Sequence, residues 1–431
     1  MGGGLMQLVA YGAQDIYLTG QPQITFFKSV YRRHTNFAIE SIQQTINGSV
    51  APGARVSITI SRNGDLLKNL WCQYNPSLLI PAGGSAQLAS DLSHSLLSIL
   101  EIEIGGQLID RQYGLWLTIW RDLTEVNPCG QQGEIGVNGA EPIINSPFGI
   151  AESTRYQRMT YTNQGGTNVT TTSAAPTEAY IPMRFWFCRN PGLAVPLIAL
   201  QYHEVKFNIT FSLASTYIFG GSGTSNLASC NFAVYADYVY LDTTERRQFA
   251  QNAHEYLIDQ LQQQQESSSG TSSNNTIRLN FNHPVKELIW VGTPVALTSA
   301  SSVDSVAGGA TPSAIVSGAS GATSNTLTKI ILNGTDRFTA RNLKYFTRNQ
   351  VWDCHTGFGA TGVADAIALY SFALRPEEHQ PSGTCNFSRI DTAQLAFIGG
   401  IGETVSALNI YAVNYNVLRI MSGMGGLAYS N

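Results

Sequence analysis

"LNIYAVNYNVLRIMSGMGGLAYSN" spans residues 408–431. Its first half interleaves Leu, Ile, Tyr and Val with asparagine, the pattern of a strand whose successive side chains face opposite ways. Its second half, "IMSGMGG" (420–426), lets the backbone pass close to a neighbour, because glycine has no Cβ. Met421 and Met424 are adaptable packing groups within it. The stretch is therefore expected to be the last strand of a β-sandwich followed by a segment packed in a core or between subunits. A catalytic role is not expected.

The same alternation recurs back along the chain. It is found in "RVSITISR" (55–62), "SILEIEIGGQLI" (98–109), "MRFWFC" (183–188), "HEVKFNITFSL" (203–213), "FAVYADYVYL" (232–241), "TIRLNFN" (276–282), "KELIWVG" (286–292), "TLTKIILNG" (326–334), "AIALYSFAL" (366–374) and "TAQLAFIGG" (392–400). Helical periodicity is scarce, with "YGLWLTIWRDLTEV" (113–126) as the main helical stretch. At 431 residues the chain suits two domains. The expectation is an all-β protein of two sandwiches or barrels. "RNGD" (62–65) and "LNGTD" (332–336) read as hairpin corners, since Asn-Gly adopts positive φ. Three stretches, 161–179, 262–275 and 298–326, are rich in Ser, Thr, Gly, Ala or Gln and read as long surface loops.

Three pairs of segments recur in one order: "LLKNLW" (66–71) with "PVKELIW" (284–290), "EIEIGGQLIDR" (101–111) with "KIILNGTDRFTAR" (329–341), and "FWFCRNPGLAVPLIALQYHEV" (185–205) with "YSFALRPEEHQPSGTCNFSRID" (370–391). Either tandem duplication or chance likeness between β-rich segments accounts for them.

Only 13% of residues are charged and the net charge is −4. The low charge is consistent with a surface that faces other protein, or with an ordinary polar, uncharged one. There is no basic stripe, so direct nucleic-acid binding is not expected. The six cysteines form no C-x-x-C pair and read as reduced, made in the cytosol. The first residues show no signal-peptide pattern, and no apolar run is long enough for a transmembrane segment.

Seven histidines show neither H-x-H nor H-E-x-x-H spacing, so neither a metal nor a cofactor is expected. "WDCHTG" (352–357) sets Cys354 beside His355, but sequence neighbours seldom meet in the geometry of proton transfer. No G-x-S-x-G or P-loop occurs. No catalytic residue is assigned and an enzyme is not expected. "FFKSVYRRHTNFA" (26–38) gathers aromatic and cationic residues. It is either a subunit-contact strip using Arg32 and Arg33, or a first strand with solvated arginines.

Several blocks, among them "LVAYGAQDIYLTGQPQITFFKSVYRRHTNFAIESIQQTINGSV" (8–50), "PGLAVPLIALQYHEVK" (191–206), "LNFNHPVK" (279–286) and "ALNIYAVNYNVLRIMSGMGGLAY" (407–429), closely resemble the major capsid proteins of chlorella viruses, within the large icosahedral double-stranded DNA viruses. The resemblance implies a double jelly roll: two tandem eight-stranded antiparallel sandwiches with short helices in the connections. It implies an arm over residues 1–25 at the capsomer base, a first roll over 26–215 and a second over 216–431. It further implies homotrimeric, pseudo-hexagonal capsomers that tile facets, bind neighbouring capsomers and rest on minor capsid proteins. Synthesis in the host cytoplasm and a place in the virion shell follow. Outer loops in this group carry covalent glycans outside the usual sequon rule, which points to Asn325 in "SNTLT" and then Asn168 in "TNVTTT". Sequons at Asn47, Asn208, Asn333 and Asn386 sit in or beside strands and are expected to be bare. Arg32, Arg33, Met421 and Met424 are the expected subunit contacts. Two rivals remain: a paralogous minor capsomer of the same fold, and a glycan-binding sandwich for host attachment. Virion copy number separates the first; the near absence of Trp and Tyr from the loops argues against the second.

Overall fold

The computed structural model describes residues 3–79, 87–89, 91–125, 155–160, 178–219, 225–267, 274–294, 326–357, 359, 365–399 and 405–429. They belong to two compact units, Met1–Phe37 and Ala38–Asn431. The first contains helices α1 (Gly3–Val9) and α2 (Ile16–Thr19), and the Asp15 carboxylate accepts the Gly12 N–H at 2.8 Å. Phe26, Phe27 and Tyr31 are exposed. Residues 26–36 form no strand; the first begins at Phe37.

From Phe37 on, eight principal strands come first, with two-residue strands between them: β1 (Phe37–Gln44), β2 (Arg55–Thr59), β3 (Leu66–Tyr74), β4 (Leu97–Ile104), β5 (Gln107–Tyr113), β6 (Ala179–Pro182), β7 (Val205–Phe211) and β8 (Ala233–Leu241). One sheet runs β1-β8-β3-β6, the other β2-β7-β4-β5 with Ile46–Asn47 at its edge. The principal strands that follow are β9 (His254–Ser267), β10 (Asn274–Leu279), β11 (Pro284–Pro294), β12 (Leu327–Leu332), β13 (Thr335–Asp336), β14 (Ile367–Ser371), β15 (Ala393–Ile398), β16 (Val405–Met421) and β17 (Met424–Leu427), with two-residue strands at Arg341–Asn342 and Cys385–Asn386. Their sheets run β9-β16-β11-β14 and β10-β15-β12-β13, with β17 folded back on β16. Adding eight to each label of the first pair of sheets reproduces the second. Each half is an eight-stranded jelly roll, in which the first and last strands become neighbours.

The recurring segments fall at matching places: on β3 and β11, on the β4–β5 and β12–β13 hairpins, and between β6 and β7 as between β14 and β15. Both hairpins close on two residues of positive φ, Gly105-Gly106 (59° and 82°) and Asn333-Gly334 (49° and 78°). That backbone suits the right-handed twist of the flanking strands.

Four expectations change. Ala233–Leu241 pairs with β3, so strands of the first roll continue past residue 215. "RNGD" is no hairpin: it carries the chain from β2 in one sheet to β3 in the other, and neither Asn63 nor Gly64 has positive φ. Gly64 sits there because a Cβ would lie 2.6 Å from Cβ of Tyr238. Residues 262–267 are strand rather than loop. Gln262 and Gln264 imitate a backbone ladder: their amides bond Asn282 (2.8 and 3.0 Å), Arg278 O (2.6 Å) and Asn280 N (2.9 Å). "MRFWFC" is not a strand, because Trp186–Arg189 forms a helical turn that buries Trp186 and Phe187 together. A pleated strand would have sent those neighbours to opposite faces.

Each roll has its own apolar core. Leu70, Cys72, Ile102 and Phe207 lie in the first; Leu288, Trp290, Leu395 and Ile410 lie in the second.

Candidate functional site: the seam between the jelly rolls

α3 (Gly114–Thr124) follows β5 directly. The sharp entry requires Gly114, where a Cβ would overlap the carbonyl oxygens of His94 and Leu97. The helix is buried from Gly114 to Leu123 because it lies between the rolls. Its Leu115, Trp116, Ile119, Trp120 and Leu123 join Ile289, Val291, Ile367, Leu369, Tyr411 and Val413 of the second roll in one cluster. The Trp116 and Tyr411 ring centroids stand 5.4 Å apart, and the Arg189 guanidinium lies 4.7 Å from the Trp120 ring. Two tryptophans burying about 150–250 Å² each represent roughly 8–12 kcal/mol of gross burial, an upper bound. Helix α3 is thus a large part of the apolar surface that joins the two rolls.

Polar groups fix its register. Asp110 on β5 accepts the Leu261 N–H of β9 at 3.1 Å, and Gln260 Nε2 donates to Ile109 O. Burial pushes the Asp110 carboxyl up to about 6. Asp259 Oδ2 accepts from Arg189 of the first roll and Lys286 of the second, both at 3.1 Å. Burial pulls the Lys286 ammonium down, against the attraction of Asp259. Below the end of α3, His355 donates to two carboxylates, Nε2 to Glu287 at 2.9 Å and Nδ1 to Glu377 at 3.0 Å. Burial disfavours the charged ring, but the two carboxylates outweigh it and raise its pKa to about 9. The next residues grip α3: Gly357 and Gly359 N–H donate to Leu123 O (2.7 Å) and Asp122 O (2.9 Å).

At the opposite end the glycine segment meets the first roll. The β16–β17 turn at Ser422-Gly423 receives the Tyr202 N–H on Gly423 O at 3.0 Å. His203 Nδ1 lies 3.0 Å from Gly425 O. A Cβ on Gly425 would come within 2.6 Å of Leu200 Cδ2, and one on Gly423 within 2.6 Å of Tyr202 Cδ2. The expected close approach is made, and it lies within the chain. The β4–β5 and β16–β17 turns share this end, while Tyr113 and Tyr411 pack at the other (6.3 Å). The rolls therefore stand side by side in matching orientation.

Asn325 and Asn168 lie outside the described residues. Arg32 and Arg33 are exposed and make no ion pair among the described residues. Met421 and Met424 flank the β16–β17 turn with side chains 46% and 52% exposed, so the glycines and not the methionines make the packing contact. Asn47, Asn208 and Asn386 lie in strands and Asn333 in its hairpin turn. Cys354 and His355 form no catalytic pair, since both ring nitrogens are taken by carboxylates and burial raises the thiol pKa. Among the described residues no cluster could hold a metal, and no helix is long and apolar enough to cross a membrane. The seam charges went unread because their partners are far apart in sequence. The one local signal was "KEL" inside an apolar strand: Lys286 and Glu287 are both buried.

Two family models match the chain in tandem: major capsid protein N-terminus over residues 25–242, and large eukaryotic DNA virus major capsid protein over 245–426. The major capsid protein of Pyramimonas orientalis virus is 48% identical, with 100% of both chains covered. That of Paramecium bursaria Chlorella virus 1 is 43% identical, again over 100% of both. A chain from the quasi-atomic model of the PBCV-1 virus capsid superposes with a TM-score of 0.73 at 38% identity, covering 94% of this chain and 100% of that one. These relatives are structural proteins of viral shells and not enzymes. With both rolls matched in order and relatives aligned end to end, the chain belongs to the major capsid proteins of large eukaryotic DNA viruses.

Proposed function

We propose that three copies close into a ring of six jelly rolls, a pseudo-hexagonal capsomer that tiles the facets of an icosahedral shell around double-stranded DNA. One observation carries this reading: two identically wired rolls are locked abreast in matching orientation. A pair of that kind gives a threefold ring six nearly equivalent edges, and six-sided tiles fill a plane. The division between rolls falls in the link between Leu241 and His254. Neighbouring capsomers and minor proteins beneath the shell are its partners, with assembly in the host cytoplasm.

The wiring supports an outward face. Connections β3–β4, β5–β6, β7–β8, β11–β12, β13–β14 and β15–β16 all leave the end opposite the β4–β5 and β16–β17 turns. The Ser/Thr-rich stretches carrying Asn168 and Asn325 belong to two of them, which suits glycans on the outer surface. Arg32 and Arg33 of the arm, and separately Met421 and Met424, are contacts with neighbouring copies. Light scattering on the purified protein tests the reading. Three copies of the 46.7 kDa chain give about 140 kDa before glycans, and a stable species near 47 kDa refutes it.

A further inference from the structure

A closed ring of tandem rolls needs two kinds of roll-to-roll contact. The seam is one; the other runs from the second roll of one copy to the first roll of the next, and its description rests on the proposed trimer. Because the rolls share one wiring, the surface that α3 covers on the second roll has a counterpart on the first. Laying "PVKELIW" over "LLKNLW" sets Lys286 on Lys68 and Ile289 on Trp71. Strand register agrees. Ile289 is flanked by Tyr411 and Leu369, and Trp71 by Tyr235 and Pro182. Val291 faces Ile367 as Gln73 faces Tyr180. Trp71, Tyr180 and Tyr235 thus stand where Ile289, Ile367 and Tyr411 stand in the seam.

Those seam residues are buried, whereas the three aromatic residues of the first roll are only half-buried. They form a platform: Trp71 stacks on Tyr235 (4.3 Å, 7°) and meets Tyr180 edge-on (5.5 Å). Asp237, which accepts the Trp71 Nε1–H at 3.1 Å, and Glu178, bonded to the Tyr180 hydroxyl, give it an acidic rim. The counterpart of α3 is the helical stretch 343–354, in the connection that follows β13. It holds Lys344 and Arg348, the latter paired with Asp365 at 2.6 Å, and it carries Trp352, 82% exposed between the buried Val351 and the exposed Asp353. A tryptophan left in water, with Lys344 in the same helical stretch and in no ion pair among the described residues, matches an aromatic platform edged with carboxylates.

We propose that Trp352 of one copy packs on the Trp71–Tyr180–Tyr235 platform of the next, repeating between chains what Trp116 does on Tyr411 within one. Two measurements on the full-length assembled protein test this. Trp352→Cys combined with Tyr180→Cys should yield disulfide-linked dimers and trimers on oxidation, while Trp352→Cys combined with Leu374→Cys should not. Trp352→Asp, folded by circular dichroism because the site is exposed, should raise the protein concentration at half-dissociation at least tenfold. A trimer that neither cross-links through this pair nor weakens with Trp352→Asp overturns the assignment and leaves the trimer standing. An unaltered chain that is monomeric withdraws both.

Discussion

Replacing His355 with glutamine should change how the protein responds to alkali. In the fold both ring nitrogens meet carboxylates, Glu287 and Glu377, and the pKa rises from 6.5 to about 9. At 1.36 kcal/mol per unit, the proton held on folding is worth about 3 kcal/mol. The folded value is the higher one, so this stabilisation is complete below pH 6.5. It fades as pH climbs towards 9 and is gone above it. His355→Gln keeps a neutral bonding group but leaves the carboxylates uncompensated at every pH. At roughly 2–4 °C per kcal/mol for a unit of 150–250 residues, the variant should melt about 6–12 °C below the unaltered protein at pH 6.5. The gap should close by pH 9.5. Calorimetric scans of both proteins from pH 6 to 9.5 provide the check. Parallel curves across that range would refute the charged clamp.

Other changes probe the seam separately. Gly114→Ala drives a Cβ into two backbone oxygens and should cost about 3 kcal/mol or more, seen as loss of soluble trimer. Asp110→Asn should stabilise the protein by about 1–3 kcal/mol at pH 8, because the carboxyl pKa raised to about 6 means that burying its charge is costly. The gain should vanish at pH 4 in thermal melts. Lys286→Met leaves Asp259 with Arg189 alone and should cost about 3–5 kcal/mol in denaturant titrations, part of it recovered by adding Asp259→Asn. Glycopeptide mass spectrometry of virion protein should find sugar at Asn325, lost in Asn325→Gln, and none at Asn47, Asn208, Asn333 or Asn386.

Much of the fold was legible because the jelly roll repeats its local chemistry. "EIEIGG" and "LNG" each close a two-residue hairpin, and the aromatic segments around 185–205 and 370–391 link the same two strands of each roll. The same turn signal misled at "RNGD", since Asn-Gly marks a tight bend without saying whether the next strand joins the same sheet. β8 was divided from its roll because its partners, β1 and β3, lie far away in sequence, and nothing local announces such a pairing. The glutamine run 262–265 looked like loop because its side chains bond backbone instead of burying apolar area. The seam was hidden for a related reason: β11 is covered by its own core on one face and by α3 on the other, so Lys286 and Glu287 are buried where hydropathy reads surface. The glycines of 423–426 were legible as a close approach, but not which surface they approach.

Single-particle imaging of the purified oligomer is the most direct test of the account. Six lobes of similar size on a hexagonal outline, related by threefold symmetry only, are predicted. Three lobes, or six whose alternate members point in opposite directions along the axis, would contradict it.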